Sequence, residues 1–343
     1  MYSETDINSA VDAGVLSSEA AAAFRNHVAL GRSAPAVDEE SFRLLTGFND
    51  IFVAIALALS LVAIGWIGGA AYAPLGGGGV AVSAWLLAEY FTRQRRMALP
   101  SILLLLAFVG GVAGALVGLV AEINPDVPDR VDAVIGGGIA LVAAGAAWLH
   151  WRRFMVPITV AAGALALVVT AMGLILAAMP EGLAERLIYP LVLAGGLAVF
   201  AFAMWWDTSD RRRTTRRSDV AFWLHLAAAP LIAHPVFQLL GVFDGSIGPG
   251  MAAVVLALYV VFGFVALAID RRALLVSSLA YVLYALSELF RTAGAVELSA
   301  AFTALVIGSA LLTLSAFWQP MRRLVVGTLG ELGQRLPPVA AAT

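Results

Sequence analysis

The sequence predicts an all-α fold: a polytopic integral membrane protein of about ten transmembrane helices, readable as five like-oriented helical hairpins. Three observations predict it. The chain is 61% hydrophobic and 13% charged, with a mean hydropathy of +0.90, whereas soluble domains are about 45–50% apolar and 25% charged. Five hydrophobic stretches end in doubled arginines, Arg95-Arg96, Arg152-Arg153, Arg212-Arg213, Arg271-Arg272 and Arg322-Arg323, at steps of 57, 60, 59 and 51 residues. Such a step holds two crossings and their loops, because a bilayer core of roughly 30 Å takes about 20 helical residues. Finally, if the N-terminus is cytoplasmic, 18 of the 21 basic residues fall in inside segments and only Arg130, Arg186 and Arg291 outside. By the positive-inside rule both termini are cytoplasmic.

The elements follow in order. Residues 1–46 are the sizeable polar region and read as a cytoplasmic helical hairpin plus linker. Ser3 with Asp6 resembles a capping pair, Gly14 marks the turn, and Ser17 is placed to cap a second helix through Glu19 and the alanine run. Ile7, Val11, Val15, Leu16, Phe24 and Val28 give it an apolar face that packs on itself or on the membrane body. The first six residues are acidic and lack a signal peptide's basic region, so insertion starts at the first internal hydrophobic segment.

Ten hydrophobic segments follow within residues 47–320: 48–70, 76–91, 101–121, 131–150, 155–178, 187–206, 219–241, 250–269, 272–293 and 296–318. Residues 321–343 read as a cytoplasmic tail. Trp148, Trp151, Trp205, Trp206, Trp223 and Trp318 lie near inner helix ends, where indoles sit at headgroup level. The outer loops are short and acidic, too short for an extramembrane catalytic domain. Arg95–Pro100 and Arg152–Pro157 share RR-x-x-x-P, with each proline near a helix start. Duplication and topological convergence both explain the repeat.

The opening also carries a resemblance. Ile7 to Ala20, with Gly14-Val15-Leu16-Ser17-Ser18-Glu19, is similar to the G-hydrophobic-hydrophobic-[ST]-x-E-x-A hairpin that precedes the polytopic body in a bacterial family of membrane proteins with a domain of unknown function. The likeness covers residues 5–30. It implies a prokaryotic inner-membrane protein and brings no reaction, ligand or catalytic residue with it.

Several groups are candidates for chemistry. In segment seven, Pro230 and Pro235 each remove an i→i−4 hydrogen bond, freeing the carbonyls of Leu226 and Leu231, and predict a broken helix. His234 and Gln238 share a face about 22 Å from the inner end, with His225 on roughly the opposite face, and the break is expected to turn His234 and Gln238 inward, since lipid cannot satisfy an imidazole and an amide. These groups read either as a proton-relay or ligand-orienting site, or as a kinked structural helix. Glu288 and Arg291 stand at i and i+3, spaced for an ion pair. Glu89, Asp207 and Asp270 each precede an arginine cluster and read as solvated residues of the inner interface. Arg211, Arg212, Arg213, Arg216 and Arg217 read as a binding patch for anionic lipid headgroups in the surrounding bilayer.

Gly110, Gly114 and Gly118, and Gly136 to Gly138 with Ala140 and Ala144, read as helix-packing stripes. Gly76 to Gly79 lacks the lysine and the following Ser or Thr of a phosphate loop. Cysteine is absent, removing disulfides, thiolate metal sites and cysteine nucleophiles. His27 and His150 are too isolated for a metal site. The formal net charge of −2 and the arginine-only basic set, a coding bias, argue against a nucleic-acid partner. No cofactor or metal is expected. The leading functional reading is a non-enzymatic inner-membrane protein with an assembly or regulatory role, meeting a protein partner through residues 1–46. The alternative is a small-molecule or proton-coupled transporter working around His234. A membrane-embedded enzyme is the weakest reading, since no acid/base pair, nucleophile or metal triad has suitable spacing.

Overall fold

The computed structural model describes residues 4–32, 48–123, 128–180, 182–211, 213, 215–242, 248–292 and 298–337. Helices α1 (Glu4–Asp12) and α2 (Ser18–Arg32) form the expected hairpin. Gly14 turns the chain at φ 71°, and the Ser17 hydroxyl caps α2 by accepting from the Ala20 amide at 3.0 Å. Ile7 and Ala21 are buried between the two helices, and Arg25 donates to the Asn8 side chain at 2.8 Å. Val15, Leu16 and Phe24 remain exposed. Ser3 and the side chain of Val28 lie outside the described residues.

The body comprises α3 (Phe48–Ala71), α4 (Ala73–Ala88), α5 (Ala98–Ile123), α6 (Asp129–Phe154), α7 (Ile158–Ala177), α8 (Leu183–Ser209), α9 (Arg216–Leu239), α10 (Pro249–Ile269), α11 (Ala273–Thr292) and α12 (Ser299–Ala316). Among the described residues nine helices are long and apolar enough to cross a membrane. Helix α4 stops at 16 α-helical residues but runs on through a six-residue π-helical segment, Glu89–Gln94. The 16 α-helical residues rise about 24 Å at 1.5 Å per residue, short of a core of roughly 30 Å, so α4 is the expected crossing that stands outside those nine. Side chains such as Trp66, Leu59 and Leu312 are exposed around the bundle, an arrangement stable only where the surrounding medium is itself apolar.

The tightest pairings are α4 with α5, α6 with α7 and α8 with α9, then α10 with α11 among the remaining inner turns. Each pair is a hairpin whose turn carries an arginine doublet, which makes four such hairpins among the described residues rather than the expected five; the fifth doublet, Arg322-Arg323, lies within a terminal helix, Trp318–Thr328. All four turns contain a non-glycine residue in the left-handed region: Arg96, Met155, Arg213 and Asp270, at φ 52°, 55°, 51° and 58°. Glycine brings the partners together. A Cβ on Gly111 would lie 2.7 Å from the Ala81 amide nitrogen, and one on Gly118 2.9 Å from the Ala73 carbonyl carbon. The α5 contact stripe is thus Gly111, Gly114 and Gly118; Gly110, expected on that stripe, faces open space. In α6 it is Gly137 that meets α7, while Gly136 and Gly138 meet nothing. Gly76 to Gly79 is helical, and Gly76 packs within 2.6 Å of the Gly65 carbonyl by the same measure.

Helix α9 is the most enclosed crossing, with 56% of its apolar window buried against 11–39% for the other eight. Its residues Val220, Leu224, Ala228, Ala229, Ala233 and Phe237 form the centre of the main core. The predicted break at Pro230 and Pro235 does not occur: α9 is one helix from Arg216 to Leu239 with both prolines inside it. The neighbour supplies the reason. A Cβ on Gly196 of α8 would stand 2.8 Å from the Leu231 carbonyl oxygen, so α8 backbone packs directly over the carbonyl that Pro235 leaves free. Pro230 is exposed, which makes it a clean test. Pro230→Ala is expected to keep or raise the thermal unfolding midpoint, since interior proline costs about 3 kcal/mol of helix propensity; a drop in midpoint would mean the proline is needed.

After α12 the chain does not trail away as a tail. Helix α13 (Trp318–Thr328) and a 3₁₀ turn (Gly330–Arg335) fold back along the arginine-rich end. Trp318, Arg322 and Val325 line the buried face of α13, packed with Ala266, Leu267 and Leu275.

Candidate functional site

The described residues place the largest set of buried charges at the arginine-rich ends of α8, α9, α10, α11 and α13. Helix α8 ends at Ser209, and the turn to α9 is closed by Asp210, whose carboxylate accepts from the Thr215 amide at 2.8 Å and the Thr215 hydroxyl at 2.6 Å. Thr215 caps α9 by accepting from the Arg217 amide. Within this turn the left-handed backbone at Arg213 carries its side chain inward, to the Asp270 carboxylate at 3.0 Å and the Ile269 carbonyl at 3.2 Å. The turn from α10 to α11 is built similarly. Asp270 adopts φ 58°, which aspartate tolerates better than most side chains, and the Arg271 amide closes back to the Ala266 carbonyl at 2.9 Å. That geometry aims neighbouring side chains at two partners.

Asp207, fully buried near the end of α8, receives Arg271 on both oxygens at 2.8 and 3.3 Å. This is a bidentate pair of the strong kind. Arg271 also donates to the Ser218 carbonyl at 3.2 Å. Asp270 receives the Trp318 indole N–H at 2.8 Å, and the Arg322 Nε lies 3.5 Å from the same oxygen. Arg322, with no exposed surface, donates onward to the Pro337 carbonyl at 2.6 Å. Arg272 turns the other way and lies over the Trp318 ring at 4.7 Å. Arg211 donates to the Gln334 and Leu336 carbonyls, closing the C-terminal segment down. Taking such ions out of water is costly, and only this density of pairing offsets the loss.

His225 of α9 completes the cluster. Its Nε2 lies 3.5 Å from the Asp207 carboxylate, and the Phe200 ring meets it edge-on at 5.2 Å. Neither ring nitrogen forms a well-aligned hydrogen bond among the described residues.

Several expectations change here. Asp207 and Asp270 are buried, not solvated, because each is needed to neutralise arginines that the turns drive inward. Glu89 does stay at the surface, held by Arg153 at 2.6 Å and Arg93 at 3.3 Å. Arg213 cannot serve as a lipid-headgroup ligand, since its side chain is 4% exposed; Arg212 lies outside the described residues. Arg216 and Arg217 are exposed as expected. Trp318 is buried against Asp270 rather than standing in an aromatic belt.

The residues singled out in the membrane do not form one site. His225 and His234 fall on different faces, as expected, with His225 buried; His234, expected to turn inward with Gln238, is instead exposed, because α9 does not break. His234 Nδ1 is 2.7 Å from the Tyr281 hydroxyl of α11, with Tyr189 edge-on to its ring. Tyr281 in turn stacks on Phe237 at 4.3 Å. Gln238 lies half-buried one turn further along. Glu288 and Arg291 pair with each other at 2.6 and 2.9 Å, at the end of α11 away from the cluster. His150 is fully buried among Trp85, Phe108 and Phe154, 3.4 Å from the Thr159 hydroxyl, while His27 is exposed on α2. No group of three or more His, Cys, Asp or Glu among the described residues could hold a metal ion.

Of the residues whose pairing the sequence reading missed, Asp270, Trp318 and Arg322 had no signal, but Asp207 and Arg271 had one in the repeat itself. Glu89 pairs with Arg153 and Asp207 with Arg271, each across 64 residues. Both acids, and both arginines, are therefore 118 residues apart. The same tie joins the hairpin of α4 and α5 to that of α6 and α7, and the hairpin of α8 and α9 to that of α10 and α11. Duplication of a two-hairpin unit accounts for this register economically. Compared with family models, curated proteins and solved structures, the chain matches none.

Proposed function

We propose that this is a non-enzymatic, multi-pass protein of a bacterial inner membrane, with both termini cytoplasmic, that acts in assembly or regulation through its N-terminal hairpin. One observation carries the reading. The α1–α2 hairpin closes through Ile7, Ala21 and the Arg25–Asn8 bond, yet leaves Val15, Leu16 and Phe24 exposed on a polar segment. An apolar face outside the membrane is the kind of surface that a protein partner covers. The arginine distribution supports a cytoplasmic side for this hairpin.

A second reading, proton-coupled transport, is favoured by a different observation: His225 stands beside a buried carboxylate inside a crossing helix. It moves the transport site from His234 to the enclosed end of the same helix.

The absence of cysteine lets one experiment weigh both. Phe24→Cys carrying a photo-activated crosslinker, in the full chain in native membranes, is expected to give a discrete adduct that Val15→Asp abolishes; no adduct overturns the partner reading. Ala229→Cys, one turn beyond His225 and fully buried, is expected to resist water-soluble thiol reagents. Rapid labelling there would instead support a transport path.

A further inference from the structure

His225 has no counterpart in the first of the two ion-paired units. Helices α5 and α9 begin 118 residues apart, as do the paired acids Glu89 and Asp207, and in this register the residue of α5 that matches His225 is Ala107. Glu89 and Arg153 are 29% and 40% exposed, so water reaches their pair. Asp207 and Arg271 are sealed and meet an imidazole instead. The second unit thus carries a titratable ring against the tie that joins its two hairpins.

Among the described residues, the charges that face this ring are Asp207 from α8, Arg213 from the turn after it, and Arg271 from the turn between α10 and α11. Helices α7 and α11 also pack on α9, but α7 holds no charged residue, and Glu288 and Arg291 stand at the far end of α11. On α9 itself, half-buried Asp219 lies nearer the helix start, within the field of Arg271 and Arg216. The geometry at Asp207 is competitive. His225 Nε2 is 3.5 Å from Oδ2, the oxygen that Arg271 Nε reaches at 3.3 Å, while Arg271 Nη2 holds Oδ1 at 2.8 Å. Arg213 Nε, whose side chain is paired with Asp270, stands 3.8 Å from Oδ1. A neutral ring leaves Oδ2 to Arg271. A protonated ring donates from both nitrogens, so Nε2–H contests Oδ2 and a further cation enters a site without water, where like charges repel strongly. The second donor, Nδ1–H, meets no acceptor among the described residues. Water satisfies it only when the site opens.

We propose that His225 is a proton-operated release for the arginine-rich end of the second unit: one proton turns the ring into a competitor for Asp207, Arg271 gives up the carboxylate, and hairpins α8–α9 and α10–α11 part at their turns. The change is neutral imidazole plus one proton to imidazolium; Asp207 stays a carboxylate and Arg271 a guanidinium. Arg271 also leaves the Ser218 carbonyl, which it holds at 3.2 Å at the start of α9. Because the opened site accepts the proton more readily than the sealed one, acid draws the population toward opening. The release uses the same histidine as the transport reading but rests on no path through the helix, since the proton enters and leaves at one end.

The cysteine-free chain allows a direct test in lipid nanodiscs, where both faces meet the solution. Ala221→Cys reports opening, because Ala221 is fully buried one turn before His225. Ala23→Cys, exposed on α2, gives the reference rate that corrects for thiol ionisation. Between about pH 8 and pH 5, the range in which histidine titrates, labelling of Ala221→Cys by a charged methanethiosulfonate relative to the reference should rise, with a slope no steeper than about tenfold per pH unit, the limit for one proton. His225→Gln, polar without a titratable ring, should make the ratio flat. His225→Ala, which installs the residue that the first unit carries, should do the same and guards against a folding defect peculiar to glutamine. A flat ratio with His225 present, or the same rise in both His225 variants, overturns the proposal. Labelling of Ala229→Cys that rises in step with Ala221→Cys would make His225 part of a continuous path and overturn the release in favour of transport.

Discussion

Asp207→Ala is expected to destabilise the folded chain by about 3–5 kcal/mol, because it leaves Arg271 buried without its carboxylate, while Arg213 keeps Asp270 at 3.0 Å. Asp207 has no exposed surface and holds both arms of Arg271, so water cannot replace it. In practice the folded yield in mild detergent should collapse, or the unfolding midpoint followed by tryptophan fluorescence should fall by many degrees. Glu89→Ala, at the equivalent but exposed pair, should change the midpoint little, since surface ion pairs contribute about 0–1 kcal/mol. Pairing Asp207→Leu with Arg271→Met should recover a large part of the loss, since an apolar pair removes the orphaned charge. Equal midpoints for wild type and Asp207→Ala would show that the buried arginines do not depend on this carboxylate.

The second large effect is expected in the glycines of the first hairpin. A Cβ on Gly77 would overlap the backbone of Ala115, and one on Gly111 would come within 2.7 Å of the Ala81 amide nitrogen. Neither neighbour is a flexible side-chain tip, so α4 and α5 must separate. Gly77→Ala and Gly111→Ala are each expected to cost about 1–3 kcal/mol. Gly78→Ala and Gly110→Ala, one residue away and facing open space, are expected to be neutral or to stabilise by about 0.5–1 kcal/mol through helix propensity. Thermal unfolding of the four variants side by side reads this directly; the same loss at Gly110 as at Gly111 would show that helix propensity, not contact, sets the effect.

The crossings were legible because hydropathy and loop charge are local quantities. A run such as Ile158–Ala177, which holds no charged residue, needs no partner to reveal that it belongs in hydrocarbon, and the arginine doublets report which ends of the helices share a side. What was not legible depended on which residues meet. The prolines of α9 signal a break when α9 is read alone, and only Gly196 on another helix explains why there is none. Aspartates before arginines look solvated until Arg213, Arg271 and Arg322, from three separate segments, are brought onto Asp207 and Asp270. The GxxxG spacing pointed correctly to close packing but not to its phase, since Gly110 and Gly111 are indistinguishable until α4 is in place.

The pairing of Asp270 with Trp318 and Arg322 sets an order of events during synthesis. Asp270 leaves the ribosome 48 residues before Trp318, an interval of about 2–10 s at translation rates of roughly 5–20 residues per second. Through that interval the turn after α10 has Arg213 but neither of its C-terminal partners, so hairpins α8–α9 and α10–α11 enter the bilayer with their inner ends incompletely tied. Only when α12 has crossed and α13 has folded back does the second half of the protein close. A nascent chain that ends before Trp318 therefore holds Asp270 with Arg213 but without the indole and guanidinium partners that α13 brings.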